Sequence, residues 1–130
     1  MQIVKGFPPN IREIANKFDI SDLPIVFTYG NILYNPTGED ISDDLMAHEK
    51  VHERQQTIYG IDKWWREYLD NEQFRLDQEV EAYRAQYNSL NHWSRDLRRK
   101  FLRAIANNLS SRIYGKIVTS KEAQSLIKQS

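Results

Sequence analysis

The chain has 130 residues, of which 40% are apolar and 28% charged, and its formal net charge is zero. These values describe one soluble globular domain over residues 1–130 with a single modest core. It contains no cysteine, which excludes a disulfide framework and a cysteine-based metal site. No apolar run approaches the roughly 20 residues that span a bilayer. The N-terminus Met1-Gln2-Ile3-Val4-Lys5-Gly6 has no signal-peptide core, so a cytoplasmic protein is expected. A compact chain of this kind also suits a virus- or phage-encoded protein, an origin that no residue specifies.

Ile3 and Val4 read as a short strand, which Pro8-Pro9-Asn10 ends. A helix opens near Pro9 or Asn10, with Ile11, Ile14, Ala15 and Phe18 on one apolar face. Asp19–Pro24 reads as a turn. The runs Ile25–Tyr29 and Ile32–Tyr34 flank Gly30-Asn31, a hairpin signal because glycine takes positive φ freely. Asn35-Pro36-Thr37-Gly38 ends the second strand.

A helix then runs from an N-cap at Ser42 to about Tyr59, where Gly60 stops it. It carries His48-Glu49-Lys50-Val51-His52, an H-E-x-x-H pattern. Residues i and i+4 share a helix face, so both imidazoles can reach one metal ion. Glu49, beside the first of them, is placed to act as a general base on water. Trp64, Trp65, Tyr68 and Leu69 predict an apolar second helix. A third runs from Glu72 to about Leu90, with Leu76, Val80, Tyr83 and Tyr87 on its apolar side.

Asn91 and His92 break that helix, and Ser94 caps a fourth whose apolar stripe is Leu97, Phe101, Leu102, Ile105 and Leu109. Arg95, Arg98, Arg99, Lys100 and Arg103 lie around the stripe. The charge is segregated: residues 1–83 hold 8 Lys/Arg against 16 Asp/Glu, and residues 84–130 hold 10 against 2. Two readings follow, a basic part solvated or drawn to the acidic one, and a basic part facing an anionic partner. No helix-turn-helix, zinc-knuckle or aromatic RNA motif is present, which disfavours nucleic acid. Ser111–Gly115 is a connector, and Thr119 with Glu122 has the form of a capping box for a short last helix.

A catalytic zinc site takes three protein ligands. His92 and the carboxylates of the third helix are the candidates for the third. Glu79 and Glu81 stand about 200° apart on that helix. Glu79 neighbours Leu76, Ala82 and Tyr83, whereas Glu81 neighbours Asp77, Gln78 and Arg84. An inward carboxylate needs a compensating cation, which favours Glu79 and leaves Glu81 as the alternative.

Ala47 through His52 with Gln55-Gln56, and Glu79-Val80-Glu81-Ala82-Tyr83 downstream, resemble the Glu-zincin branch of zincin metallopeptidases over roughly residues 25–87. The resemblance implies an α+β, mainly helical fold. In it a small antiparallel sheet lies beside the motif helix, and another helix delivers a glutamate. It implies one Zn²⁺ held by His48, His52 and Glu79, with Glu49 as base and a peptide or protein as substrate. Tyr83 stands where the pattern usually has Asp and is a candidate for supporting a ligand histidine or the oxyanion. Tyr87 and His92 are further candidates for the oxyanion. By the same analogy a strand near Tyr29–Tyr34 aligns an extended peptide. The alternatives are a zinc-binding protein without turnover and an anion-binding protein that uses the basic C-terminal helices.

Overall fold

In the computed structural model, which describes residues 1–21 and 23–129, three short strands precede most of the helices. Asp22, within the turn expected over Asp19–Pro24, and Ser130, the last residue of the expected domain, lie outside the described residues. The strands are β1 (Gln2–Val4), β2 (Phe27–Tyr29) and β3 (Ile32–Tyr34). The helices are α1 (Ile11–Lys17), α2 (Asp43–Tyr59), α3 (Ile61–Asp70), α4 (Glu72–Asn88), α5 (Arg95–Leu109) and α6 (Ser120–Lys128), with a 3-10 turn at Arg112–Tyr114. The fold is α+β and mainly helical, as the residue pattern predicts.

The sheet differs from the expected antiparallel one. Its order is β1-β3-β2, with β2 antiparallel to β3 and β1 parallel to β3. Gly30 makes the hairpin turn at φ +63°. The parallel partner is reached only after α1 and β2, a long-range pairing that three-residue strands do not announce. β3 is paired on both sides, so it cannot add a peptide strand; the two outer edges belong to β1 and β2.

Two apolar clusters hold the helices. One joins Ile14 and Phe18 of α1, Phe27 of β2, and Trp64, Trp65 and Tyr68 of α3. The other joins Val80 and Tyr83 of α4 to Leu102, Ile105, Ala106 and Leu109 of α5 and to Ala123 and Ile127 of α6. Tyr114 packs against both. The expected α5 stripe is shifted, because Leu97 is 51% exposed and Ala106 takes a core place. Positions 102, 105, 106 and 109 still keep helical spacing. Two of the expected side-chain caps are present, whereas Ser42 stands at the N-cap of α2 without a side-chain cap bond. Ser94 accepts from the Leu97 amide, and Thr119 with Glu122 forms a capping box. α4 ends at Asn88, two residues before the expected Leu90. No helix among the described residues is long and apolar enough to cross a membrane.

Ile127→Ala removes a fully buried side chain. It should cost about 2–5 kcal/mol by chemical denaturation. Leu97→Ala should stay within about 0.5 kcal/mol of the parent. Similar losses for the two variants would contradict this account of the second cluster.

Candidate metal centre

α2 starts after Ser42 with Asp43 and Asp44 in its first turn, where negative charge suits the helix dipole, and stops at Gly60 with φ +87°. Its buried face is polar. His48, Glu49, His52, Gln55 and Gln56 are buried with Val51. It packs on α4, whose buried residues include Arg75, Glu79 and Gln86. An interface of this kind holds only if every group finds a partner.

At its centre His48, His52 and Glu79 converge. Each pair among His48 Nε2, His52 Nε2 and Glu79 Oε1 is separated by 3.2 Å. All three side chains are buried, and they form a group that can hold a metal ion. Tyr68 Oη donates to Glu79 Oε2 at 2.5 Å, which leaves Oε1 for the centre. Glu81, the alternative, is exposed.

The tautomers are set from behind. Gln86 Nε2 donates to Asp44 Oδ2 at 2.9 Å, so its Oε1 faces His48 and accepts from Nδ1–H at 3.0 Å. Gln55 Nε2 donates to Gln78 O at 3.1 Å and Glu81 Oε1 at 2.7 Å, so its Oε1 accepts from His52 Nδ1–H at 2.8 Å. The partners of both NH₂ groups are acceptors only, so neither amide can be reversed. Both Nε2 atoms therefore aim lone pairs at Glu79 Oε1, and a cation must lie among them. In the metal-free protein that cation is a proton. Burial alone lowers the His52 pKa, but the charge and hydrogen bond of Glu79, with help from Glu49 and Gln55, raise it from an ordinary 6.5 to about 9. Burial pushes Glu79 up, yet the His52 charge and hydrogen bonds from both imidazoles hold it far below the carboxylate range.

Glu49 is oriented by β2, since Thr28 Oγ1 donates to its Oε2 at 2.8 Å. Gln56 fixes that strand by donating to Thr28 O at 2.9 Å and accepting from Gly30 N at 2.7 Å. A cavity of about 70 Å³ adjoins the three converging side chains, and Thr28, Glu49, Tyr68 and Tyr114 also line it. A wider cleft of about 500 Å³ reaches His48 and Glu49 between Leu23–Val26 on one side and Tyr83, Ile113 and Tyr114 on the other.

Tyr83 packs edge-on against the His48 ring at 4.4 Å, but its hydroxyl is 2.7 Å from that of Tyr114 and does not meet an imidazole. Gln86 has the place beside His48 that Tyr83 was expected to fill. Burial and then the Glu79 charge push both tyrosine pKa values well up, so both hydroxyls keep their protons. One hydrogen bond uses one of those protons, and the other O–H is left as a donor beside the cleft. Tyr87 lies under Arg98 instead, and His92 is exposed with its ring 6.5 Å from Trp93.

Sequence reasoning missed Gln86, Tyr68, Tyr114, Thr28 and Arg75. Spacing carries a signal for two of them, because Arg75 and Gln86 lie four residues before and seven after Glu79, on its face. Arg75 is 1% exposed and donates to Tyr68 O at 2.6 Å and to Tyr114 O at 2.9 Å, so it ties both tyrosine segments to α4.

No protein-family model, curated protein or solved structure matches the chain.

Glu79→Ala and His52→Ala should lose bound metal, whereas Glu81→Ala should keep it; elemental analysis of protein purified without a chelator reads this directly. Gln86→Leu should retain the ligands but weaken metal affinity roughly 10–100-fold. A raised His52 pKa means that the folded metal-free protein binds a proton that the unfolded chain releases. The stability from this pair is full between pH 4.5, the ordinary Glu79 value, and pH 6.5, and is lost as pH rises through about 9. Thermal melts of metal-free protein across that window should decline, and those of metal-loaded protein should not show this loss.

Proposed function

We propose that the protein is a zinc-dependent metallopeptidase in which His48, His52 and Glu79 hold Zn²⁺ and Glu49 is the general base. The observation that carries this reading is the triangle of two imidazole lone pairs and one carboxylate oxygen with 3.2 Å sides. Tetrahedral coordination at zinc bond lengths of roughly 2.0–2.1 Å separates ligand atoms by about 3.3 Å. Two neutral imidazoles and one carboxylate also make a donor set suited to zinc, with a fourth position for substrate or water.

Zinc in such a site supplies Lewis acidity, lowering the pKa of water towards about 7 and polarising a carbonyl. The chain's own residues do the remainder. Glu49, with Oε2 held by Thr28, takes a proton from the attacking water and passes it to the leaving amine. The unshared O–H of the Tyr83–Tyr114 pair donates to the carbonyl oxygen as negative charge develops there. Leu23–Val26 and Ile113 give the cleft apolar walls, which suit a peptide with apolar side chains flanking the cleaved bond.

Glu49→Gln should keep the metal and lose hydrolysis about 10²–10⁴-fold, because it removes the base and leaves the ligands. Tyr83→Phe with Tyr114→Phe, which removes both hydroxyls of the pair, should lower kcat about 10²-fold with metal content unchanged. A screen of peptide substrates on metal-loaded protein checks both. Full turnover by Glu49→Gln on any substrate found would overturn the assignment.

A further inference from the structure

Beyond the metal centre lies a second cavity, of about 450 Å³, where α4, α5 and α6 meet. It is lined by Tyr87, Arg95, Arg98, Arg99, Leu102 and Lys128, and it shares no residue with the two cavities at the metal centre. Four of the six are cations and none is a carboxylate. Arg95, Arg98, Arg99 and Leu102 recur at i, i+3, i+4 and i+7, so one face of α5 supplies the wall and α6 adds Lys128.

Among the described residues no carboxylate pairs with Arg95, Arg98 or Lys128. The excess acid of residues 1–83 does not reach it. Among the described residues the only ion pair joining the acidic and basic parts is Arg112 with Asp19, at 3.7 Å and exposed. Arg99 meets Asp96 on the outer surface. Arg98 is held in place by stacking 4.8 Å above the Tyr87 ring, and its buried Nε has no hydrogen-bond partner. The cations also crowd the first turns of α5, the positive end of the helix dipole, where they are least favoured. Asp96 in the same turn offsets one of these cations, and the others leave positive charge that an anionic ligand would balance.

We propose that this cavity binds the phosphate group of a small phosphorylated molecule, with Arg95, Arg98, Arg99 and Lys128 as its contacts. Guanidinium groups match phosphate oxygens in charge and geometry. The cavity is concave and of small-molecule size, which favours a compact anion over a polymer tracking across the surface.

Titration calorimetry with inorganic pyrophosphate at fixed ionic strength tests this on the full chain. The parent protein should bind saturably. Arg95→Gln with Lys128→Gln, both at exposed positions, should bind at least roughly tenfold more weakly with an unchanged Tm and metal content. Lys100→Gln with Arg103→Gln, exposed and outside the cavity, should bind as the parent does. The absence of saturable binding, or equal affinity for the parent and the Arg95/Lys128 variant, would overturn the proposal. So would a single-stranded oligonucleotide that binds more tightly than pyrophosphate and loses affinity equally in both double variants, since that describes a diffuse polyelectrolyte face. Peptidase activity plays no part in these readings, so the proposal can fail without the metal assignment failing, and the reverse.

Discussion

Three electron-pair donors converge at 3.2 Å in a buried helix interface, and the rest of the structure answers to that constraint. Acceptors so close repel one another unless a positive charge lies among them. A proton meets the need in the metal-free protein, which is why burial fails to lower the His52 pKa. A metal ion meets it with three bonds instead of one. The amides of Gln55 and Gln86 remove the remaining freedom, since each places a carbonyl on an Nδ1–H and neither can turn round.

Such a site shapes the packing around it. α2 and α4 meet through imidazole, amide and carboxylate groups where most helix pairs meet through aliphatic ones. Within that interface every buried polar side chain has a partner. The buried polar atoms left without one belong to Asn10, Trp65 and Arg98, on other surfaces. Deleting one member would strand its neighbour in the interior, a loss of about 1–3 kcal/mol and more for a charged group. Arg75 extends the same logic. It is buried without a carboxylate, its charge spread over three carbonyl oxygens and the Phe18 ring at 4.8 Å. By gripping Tyr68 O it steadies the residue that orients Glu79, and by gripping Tyr114 O it fixes one hydroxyl of the pair beside the cleft.

The motif helix and the three converging side chains were legible because they obey local rules. His48 and His52 are one turn apart, and Glu79 has apolar neighbours at i±3 and i±4 where Glu81 has polar ones. What was not legible depends on tertiary reach. Glu81, the alternative ligand by sequence, is exposed and accepts from Gln55 at 2.7 Å, so it helps to orient His52 from the surface. Gln86 has the right spacing, but a glutamine carries no signature until its partners are known. Tyr114 arrives from a 3-10 turn 31 residues after Tyr83, and no periodicity predicts that meeting. The β1–β3 pairing was hidden for a similar reason, since three residues are too few for an alternating pattern to state a partner.

α4 accounts for the C-terminal part of the chain. Residues 75, 79, 82 and 86 recur at i, i+4, i+7 and i+11; Glu79 and Gln86 meet α2, and Arg75 on the same stripe reaches α3 and the 3-10 turn. Residues 76, 80, 83 and 87 repeat the spacing one step on, about 100° round the helix, and carry Leu76, Val80, Tyr83 and Tyr87. One stripe is polar and serves the candidate metal centre; the other is apolar and needs cover. α5 and α6 provide it, burying Val80 and Tyr83 against Leu102, Ile105, Leu109 and Ile127. Because Tyr83 borders both stripes, its ring braces His48 while its hydroxyl meets Tyr114 from the connector between those two helices. Residues 93–129 therefore form the back wall of the Glu79-bearing helix and one side of the cleft. A helix that must present glutamate on one face and leucine-like surface on the next cannot be held by a single partner, and the order of elements along this chain supplies two.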